Sequence, residues 1–551
     1  MKRFNQHKSM LCVLLLLMTV FVSACSNGGG ADAVKGPEQQ AETDASRFLV
    51  AIEDEPDTVD FQCTTFYYTI ATNVFNRLVE MEKDGDGNVV VTPSLAKSWE
   101  ISDDGLTYTF HLRENVRFSN GSPLTASDVL YTFTRLLTYP NSCNQDICDD
   151  VLGADRLMRG ETDRLEGFQT LSDLDFSITL EKPFAAFLAC LSMPGASILD
   201  EETTRDAGDR FGLDPACTVG TGSFILSKWE PGESMLLTAN RNCWEGPPLC
   251  DGMELRFMTE PEDIRVMFQN GELDVLDLDD LGNLAEFFYH GDIYQDRLYQ
   301  VRRIATAYIA LNASVEPLND VRVRKALQLS LNRALLLDAV YSGRGSLENG
   351  IFPQGLFGYN PDLPAIPYDP EAARELLAQA GYPDGFELTV SVKSSSTQAE
   401  MTLMRLTASM WEKIGVQVQI RVMGESEFMR LRKRGELACY TAAWTADFND
   451  PDNFIYTFFG TRENTVFRSL CYPREDIMER VSAARTITDP EARVAEYNEL
   501  ERIIVQEDAA WIPLFSRLRF YVTSERVAGI RSSWNGSVKN EYRYLYIKDA
   551  Q

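Results

Sequence analysis

The chain has 551 residues, with 52 Lys+Arg against 82 Asp+Glu, a formal net charge of −30, three histidines and 11 cysteines. So acidic a chain is unsuited to nucleic acid, whose phosphates must be neutralised by Lys and Arg, and is repelled by anionic lipid headgroups. Its length is ample for a large core and more than one domain.

Lys2, Arg3 and Lys8 open the chain, Met10 to Val22 are almost uninterrupted Leu, Val and Met, and Ser23-Ala24 precede Cys25. This is the charged, apolar, small-residue layout of a secretory signal over residues 1–24. The apolar run is shorter than the ~20 residues of a permanent membrane span. Val22-Ser23-Ala24-Cys25 resembles the lipobox of bacterial lipoproteins, which implies cleavage before Cys25 and a lipid on that residue; an ordinary secreted protein is the alternative. The Gly, Ala, Glu, Gln and Asp that fill residues 26–45 predict a disordered tether.

Phe48-Leu49-Val50-Ala51-Ile52 is a short apolar run suited to a buried strand, and strands and turns dominate the first third. Asp84-Gly85-Asp86-Gly87-Asn88 reads as a turn. As an EF-hand loop it would need Gly and Glu where Val89 and Leu95 stand. Glu100 to Leu112 alternates about Asp104-Gly105, a hairpin signature. Thr125-Ala126-Ser127-Asp128 predicts a capping box opening a helix over Val129 to Leu137. The second half is richer in helices. Val321 to Tyr341 reads as one helix with Val323, Ala326, Leu327, Ser330 and Leu331 on one face. Asp369-Pro370-Glu371 and Asp489-Pro490-Glu491 each supply an N-cap, a proline at the first helical position and an acid in the first turn. Ala399 to Ile414 predicts a helix ending at Gly415, and Val416 to Ile420 alternates as a strand. Helices and strands interleaved in this way imply an α/β fold with sheets covered by helices.

Nine cysteines follow Cys25, and in an exported protein they are expected to be structural. Cys143 with Cys148 and Cys243 with Cys250 are close enough to bridge locally, contributing about 2 kcal/mol each on loop entropy. Cys439 with Cys471 and Cys190 with Cys217 are further candidate pairs, leaving Cys63 over. No C-x-x-C occurs, so neither a redox dithiol nor a zinc ribbon is indicated. Ser94-Leu95-Ala96-Lys97 matches the S-x-x-K of penicillin-recognising enzymes but lacks the accompanying motifs. Beyond residue 24 only His111 and His290 remain, in dissimilar contexts, which disfavours a Ser-His-Asp or His-rich metal site. Gly220-Thr221-Gly222 lacks the lysine of a Walker loop. The chain is poor in the groups catalysis needs, and no enzyme, cofactor or metal site is expected.

Four stretches together resemble the family 5 extracellular solute-binding proteins, the peptide-binding lipoproteins of bacterial ABC importers. The first runs from Pro93-Ser94-Leu95-Ala96-Lys97-Ser98-Trp99-Glu100 through Phe118-Ser119-Asn120-Gly121 to Ser127-Asp128-Val129. The second is Val219-Gly220-Thr221-Gly222-Ser223-Phe224 with Asn240-Arg241-Asn242-Cys243-Trp244. The third is Leu318-Asn319-Asp320-Val321-Arg322-Val323-Arg324-Lys325-Ala326-Leu327 with Leu331-Asn332-Arg333. The fourth is Ala443-Trp444-Thr445-Ala446-Asp447-Phe448-Asn449-Asp450-Pro451. The resemblance implies a periplasmic-binding-protein-like fold of two α/β lobes closing over a ligand. Lobe I would take residues 46–75, 218–305 and 510–551, an extra domain 76–217, and lobe II 306–509.

The same resemblance implies that Asp447 pairs with a peptide's α-ammonium group; the alternative is an aspartate capping the turn that follows. Trp444 would offer an aromatic wall or pack in the core. The backbone of Thr441 to Trp444, if extended, would pair with a peptide as an added strand, with Ala443 and Thr445 among the contacts. Thr64 to Tyr68 would line the opposite side, Phe66 and Tyr67 as contacts or, for at least one of them, as core packing. Some tripeptide-binding relatives carry an arginine six residues before this aspartate, where this chain has Thr441, which points to longer peptides or another amine-bearing solute. The expectation is a monomeric receptor, lipid-anchored on the outer face of the cytoplasmic membrane, that delivers a peptide to an ABC permease. Oligosaccharide or nickel-complex binding within the family, and a secreted hydrolase outside it, are the rivals.

Overall fold

The computed structural model describes residues 47–52, 55–65, 68–539 and 542–548. Among them no helix is long and apolar enough to cross a membrane. The turn at Asp104-Gly105 forms as its residues require, with Gly105 at φ +71° and the Asp104 carboxylate accepting the Leu106 N–H at 3.0 Å. It joins Ala96–Ile101 to Thr107–Leu112 in an antiparallel pair, which Asp175–Thr179 and Phe168–Thr170 extend to four strands. Alternate residues Tyr108, Phe110, Phe176 and Ile178 face a first core shared with the Ala126–Thr138 helix. That helix opens on the expected capping box between Thr125 and Asp128.

A twelve-stranded sheet carries the rest. Its main path runs Val416–Met423, Phe386–Lys393, Cys439–Thr445, Ala305–Leu311, Trp511–Thr523, Val275–Asp277, Arg47–Ile52, Gly252–Phe257, Ser234–Ala239 and Phe224–Glu230. Leu298–Arg302 and Gly345–Leu347 both pair with Trp511–Thr523. In the second half, side chains alternate between two cores. Tyr308, Ala310, Tyr440 and Trp511 enter one, and Ile309, Leu311, Cys439, Ile512 and Leu514 enter the other. A strand buried on both faces reads as a continuous apolar run, as Ala305–Leu311 does.

Trp511–Thr523 connects the two halves of this sheet. Its first residues pair with Ala305–Leu311 and its last with Leu298–Arg302 and Val275–Asp277. The link Arg303–Ile304 crosses beside it, held by the Ser516 hydroxyl donating to the Arg303 carbonyl at 2.9 Å.

Two expectations are corrected. The segment from Val321 to Tyr341 is two helices, Val321–Leu329 and Arg333–Tyr341. Asn332 interrupts it by capping the second helix, its Oδ1 accepting the Leu335 N–H at 3.0 Å, which lets the buried Arg333 reach the Glu348 and Pro513 carbonyls. The cysteines are not bridged: Cys63, Cys143, Cys148, Cys190, Cys217, Cys243, Cys250, Cys439 and Cys471 all stand as free thiols. Their surroundings differ within each expected pair. Cys148 is buried in the first core while the exposed Cys143 donates to the Gln62 carbonyl at 3.6 Å. Cys439 lies in the sheet core while Cys471 Sγ donates to the Gly435 carbonyl at 3.8 Å.

Candidate functional site

The site grows out of the Cys439–Thr445 strand. One of its edges is fully paired, with Ala305 opposite Thr445 and Leu311 opposite Cys439. The other edge meets Phe386–Lys393 only at Cys439 and Tyr440. From Thr441 to Thr445 no strand among the described residues covers it.

The Ala446 N–H still reaches the Ile304 carbonyl at 2.8 Å; beyond it the chain leaves the sheet, and Asn453 sets its course. The Asn453 Oδ1 accepts the Asp447 backbone N–H at 3.0 Å and the Trp444 indole N–H at 3.2 Å, while its Nδ2 donates to the Asp447 carboxylate at 3.1 Å. Asn453 lies in the first turn of the Asp452–Phe459 helix, and buried ion pairs fix that turn. Arg493 grips Asp450 with two bonds of 2.7 and 2.6 Å. Asp452 receives Arg485 at 3.2 Å and the Tyr497 hydroxyl at 3.1 Å. Phe448 packs into the first core, and the Asn449 N–H points at Met81 Sδ, 3.3 Å away.

Asp450 and Asp452 are therefore engaged in structure, whereas Asp447 is not. The turn closes without it, through the Asp450 N–H to Phe448 carbonyl bond at 3.0 Å. Among the described residues no cation stands within ion-pair distance of Asp447, and its one side-chain partner is Asn453. The Asp447 side chain is exposed where it lines a cavity, yet protein surrounds that cavity, and the loss of bulk solvation raises its pKa to about 6. The Asn453 amide and Arg468 pull the other way, and Asp146 adds to the rise. Asp146 lies in the Gln145–Ile147 turn and is itself raised by burial. The Tyr68 hydroxyl lies in the same field, its pKa raised by burial and then by Asp447, and it donates to Thr64 O at 2.9 Å and Asn144 Oδ1 at 3.2 Å.

The cavity measures about 360 Å³, within the range of small-ligand sites. Tyr68, Thr69, Met193, Pro194, Thr445, Ala446 and Asp447 line it, with Arg303, Arg519, Asn535, Ser537 and Lys539. The cations among them have acidic neighbours. Arg519 pairs with Asp277, Lys539 lies 3.8 Å from both Asp277 and Asp280, and Arg303 feels Asp279 and Asp277.

Of the residues expected from sequence, Thr445 and Asp447 line the cavity; Ala443 and Trp444 lie on the same strand but do not. Ala443 is exposed. Trp444 is half-buried, edge-on to Phe458 at 5.4 Å, with the Arg468 guanidinium 4.5 Å from its ring centre. Phe66, Tyr67 and Cys25 lie outside the described residues. Tyr68, at the end of the segment expected to line the site, does line the cavity, whereas Asn453, Asp146 and Arg468, which act on Asp447, were not legible from the sequence. The Asp-Pro-Asp-Asn run signals a helix start but not that its amide clamps Asp447. The S-x-x-K motif holds no paired nucleophile, since Ser94 Oγ is buried without a hydrogen bond and Lys97 lies 3.7 Å from Glu114.

Residues 90–465 match the family described as bacterial extracellular solute-binding proteins, family 5 Middle. The chain belongs to this family. Over 532 residues the family 5 chain is 29% identical to heme-binding protein A of Haemophilus influenzae, covering 94% of this chain and 95% of that protein. It is 30% identical to the probable di/tripeptide-binding protein 5 of Pseudomonas aeruginosa, over 88% of this chain and 93% of that one. Among solved structures, HbpA2 from Haemophilus parasuis superposes with a TM-score of 0.75 at 26% identity, covering 91% of this chain and all of that one. The two-lobe α/β architecture expected of family 5 is thus the architecture of this chain.

Proposed function

We propose that this family 5 chain is the ligand-capturing lipoprotein of an ABC importer, and that its ligand is a peptide bound by its free amino terminus. Asp447 carries the reading. A carboxylate without a cation partner, oriented by an amide and costly to ionise where it stands, is relieved by an ammonium group, and such charge-assisted pairs in a desolvated site are strong and directional. The uncovered edge from Thr441 to Thr445 supports the same conclusion, because it offers main-chain groups to an extended ligand and leaves ligand side chains free to vary. The Pseudomonas aeruginosa relative is named for di- and tripeptides, which agrees with it.

Residues 46–75, 218–305 and 510–551 act as lobe I, 76–217 as its extra domain and 306–509 as lobe II, hinging where Arg303–Ile304 and the long Trp511–Thr523 strand cross. A lipid on Cys25 holds this monomeric receptor to the outer face of the cytoplasmic membrane, and the tether keeps it at high effective concentration near the permease. Heme, named for the Haemophilus influenzae relative, fits less well, because Asp447 would gain no counter-charge from its carboxylates.

Calorimetry tests the reading. Peptides with free amino termini bind and their N-acetylated counterparts bind far more weakly; equal affinity for both, or a stoichiometric heme complex in their place, refutes it. Membrane fractionation of Cys25→Ala tests the anchor, whose loss releases the protein.

A further inference from the structure

Cys63 and Cys143 meet at one peptide group. The Cys143 N–H donates to Gln62 O at 2.9 Å, and its thiol points at the same oxygen from 3.6 Å. Cys63 begins on the other side of that peptide bond. Standard bond lengths and one hydrogen bond therefore place the two α-carbons within about 7 Å of each other, and a disulfide spans about 4.4–6.8 Å. Asn144 fixes the approach. Its Nδ2 donates to Phe61 O at 2.9 Å and to Thr64 O at 2.8 Å, which pins the chain on both sides of Cys63. Both thiols are free in the structure, Cys143 exposed and Cys63 half-buried. The Cys63 thiol donates to the Asp60 carboxylate at 3.2 Å. That carboxylate keeps its partners without it, because Arg135 reaches its two oxygens at 3.3 and 2.6 Å and the Gln62 N–H adds a bond of 3.1 Å.

We propose that Cys63 and Cys143 form a disulfide in the exported protein, a bridge that staples the turn leading to Tyr68. The family is described as extracellular, and outside the cytoplasm thiols oxidise and disulfides persist. The exposed Cys143 thiolate attacks an organic disulfide oxidant, which forms a mixed disulfide and expels one thiol. The Cys63 sulfur then attacks Cys143 Sγ and expels the second. The two cysteines lose two electrons and two protons, and the oxidant gains them as its two thiols. The bridge closes a long loop, from residue 63 to residue 143, and so removes much freedom from the unfolded chain. It also stands beside the site. The Tyr68 hydroxyl lies between Thr64 O and Asn144 Oδ1, at 2.9 and 3.2 Å, and Tyr68 lines the cavity. A cross-link one residue from both acceptors holds that wall in place.

Peptide mapping tests the bond. Wild-type protein is purified from outside the cytoplasm without reductant, unfolded in an alkylating agent and cleaved at aspartates, which separates Cys143 from Cys148 at Asp146. The fragments carrying Cys63 and Cys143 should emerge joined, and both thiols should alkylate only after reduction. Alkylation of either before reduction, or its joining to another cysteine, overturns the proposal. Reductant should also lower the melting temperature by a few degrees and quicken amide exchange about Tyr68. The Cys63→Ser, Cys143→Ser double variant should melt at the lower value with or without reductant. Melting and exchange that reductant leaves unmoved in wild type, or a double variant that still shifts, overturn the stapling role. Neither measurement needs a ligand, and the mapping uses wild type, so it stands even if the variant fails to fold.

Discussion

Asn453 holds Asp447 at two points, accepting its backbone N–H at 3.0 Å and donating to its carboxylate at 3.1 Å. The same Oδ1 also takes the Trp444 indole N–H, so one amide sets both the direction of the Asp447 carboxylate and the position of the neighbouring ring. Asn453→Ala should reduce affinity for free-amine peptides by about 1–3 kcal/mol, the cost of leaving buried partners unsatisfied. Calorimetry against wild type at neutral pH checks it, and unchanged affinity would show that Asp447 needs no clamp.

Peptide binding should depend on pH through Asp447. Its carboxyl, raised to about 6 by burial, must be ionised to hold an ammonium, and pairing draws its pKa down. The ligand-free protein therefore carries a proton below about pH 6 that has to leave on binding. Affinity is steady between that value and the pH of about 7.7–8.0 at which the peptide's own α-amino group loses its proton, and it falls as pH drops through about 6, by up to about tenfold per unit. Titrations near pH 5 in two buffers of different ionisation enthalpy should register proton release, and Asp447→Asn should bind weakly with a flat profile. Asp146, Arg468, Asn453 and Tyr68 face the same carboxyl and set its starting value.

Arg485 joins Asp150, which follows the Gln145–Ile147 turn, to Asp452 at the start of the Asp452–Phe459 helix. It reaches Asp150 at 3.0 Å and Asp452 at 3.2 Å, with its guanidinium 4.2 Å from the Phe184 ring centre and 4.1 Å from that of Tyr456. It does not line the cavity, yet Arg485→Ala should weaken peptide binding by a few kcal/mol, because it leaves the buried Asp452, one residue from Asn453, without its cation. Small-angle scattering with saturating peptide should show a more open shape for the variant. The same scattering curve as wild type would assign Arg485 to local stability only.

Stability should fall with rising pH on account of Glu501. Its Oε1 accepts the Ile351 and Phe352 N–H groups at 2.6 and 2.8 Å, but burial still raises the carboxyl to about 8, with Glu348, also at about 8, in its neighbourhood. The folded protein keeps this proton up to about pH 8, whereas the unfolded chain releases it near about 4.3. Between these values the folded state binds more protons, so stability declines as pH rises and levels off above about 8. Glu501→Gln keeps the acceptor and removes the titration. Its melting temperature should exceed that of wild type near pH 8.5 and match it near pH 5.

Much of the local structure was legible because it depends on residues adjacent in the chain. The Thr125–Asp128 box, the Asp369-Pro370 and Asp489-Pro490 helix starts and the Gly105 turn form where their side chains and backbone freedom require. The break at Asn332 was missed because apolar spacing continued across it while one side-chain cap outweighed that spacing. The cysteine pairs were misjudged for a related reason: closeness along the chain does not decide where two thiols point.

The sequence by itself determined the α/β class, since the helix caps and strand alternation are local, and the family, since four stretches in order carry it; it also singled out Asp447 as a candidate. It could not show that Asp450 and Asp452 are engaged by Arg493 and Arg485 while Asp447 has no cation partner among the described residues, because those arginines lie 43 and 33 residues further along. Nor could it set Arg468 over Trp444, or expose one edge of the Cys439–Thr445 strand. Which charges are neutralised and which stay unpaired is a property of three-dimensional packing, and only the tertiary structure decided it.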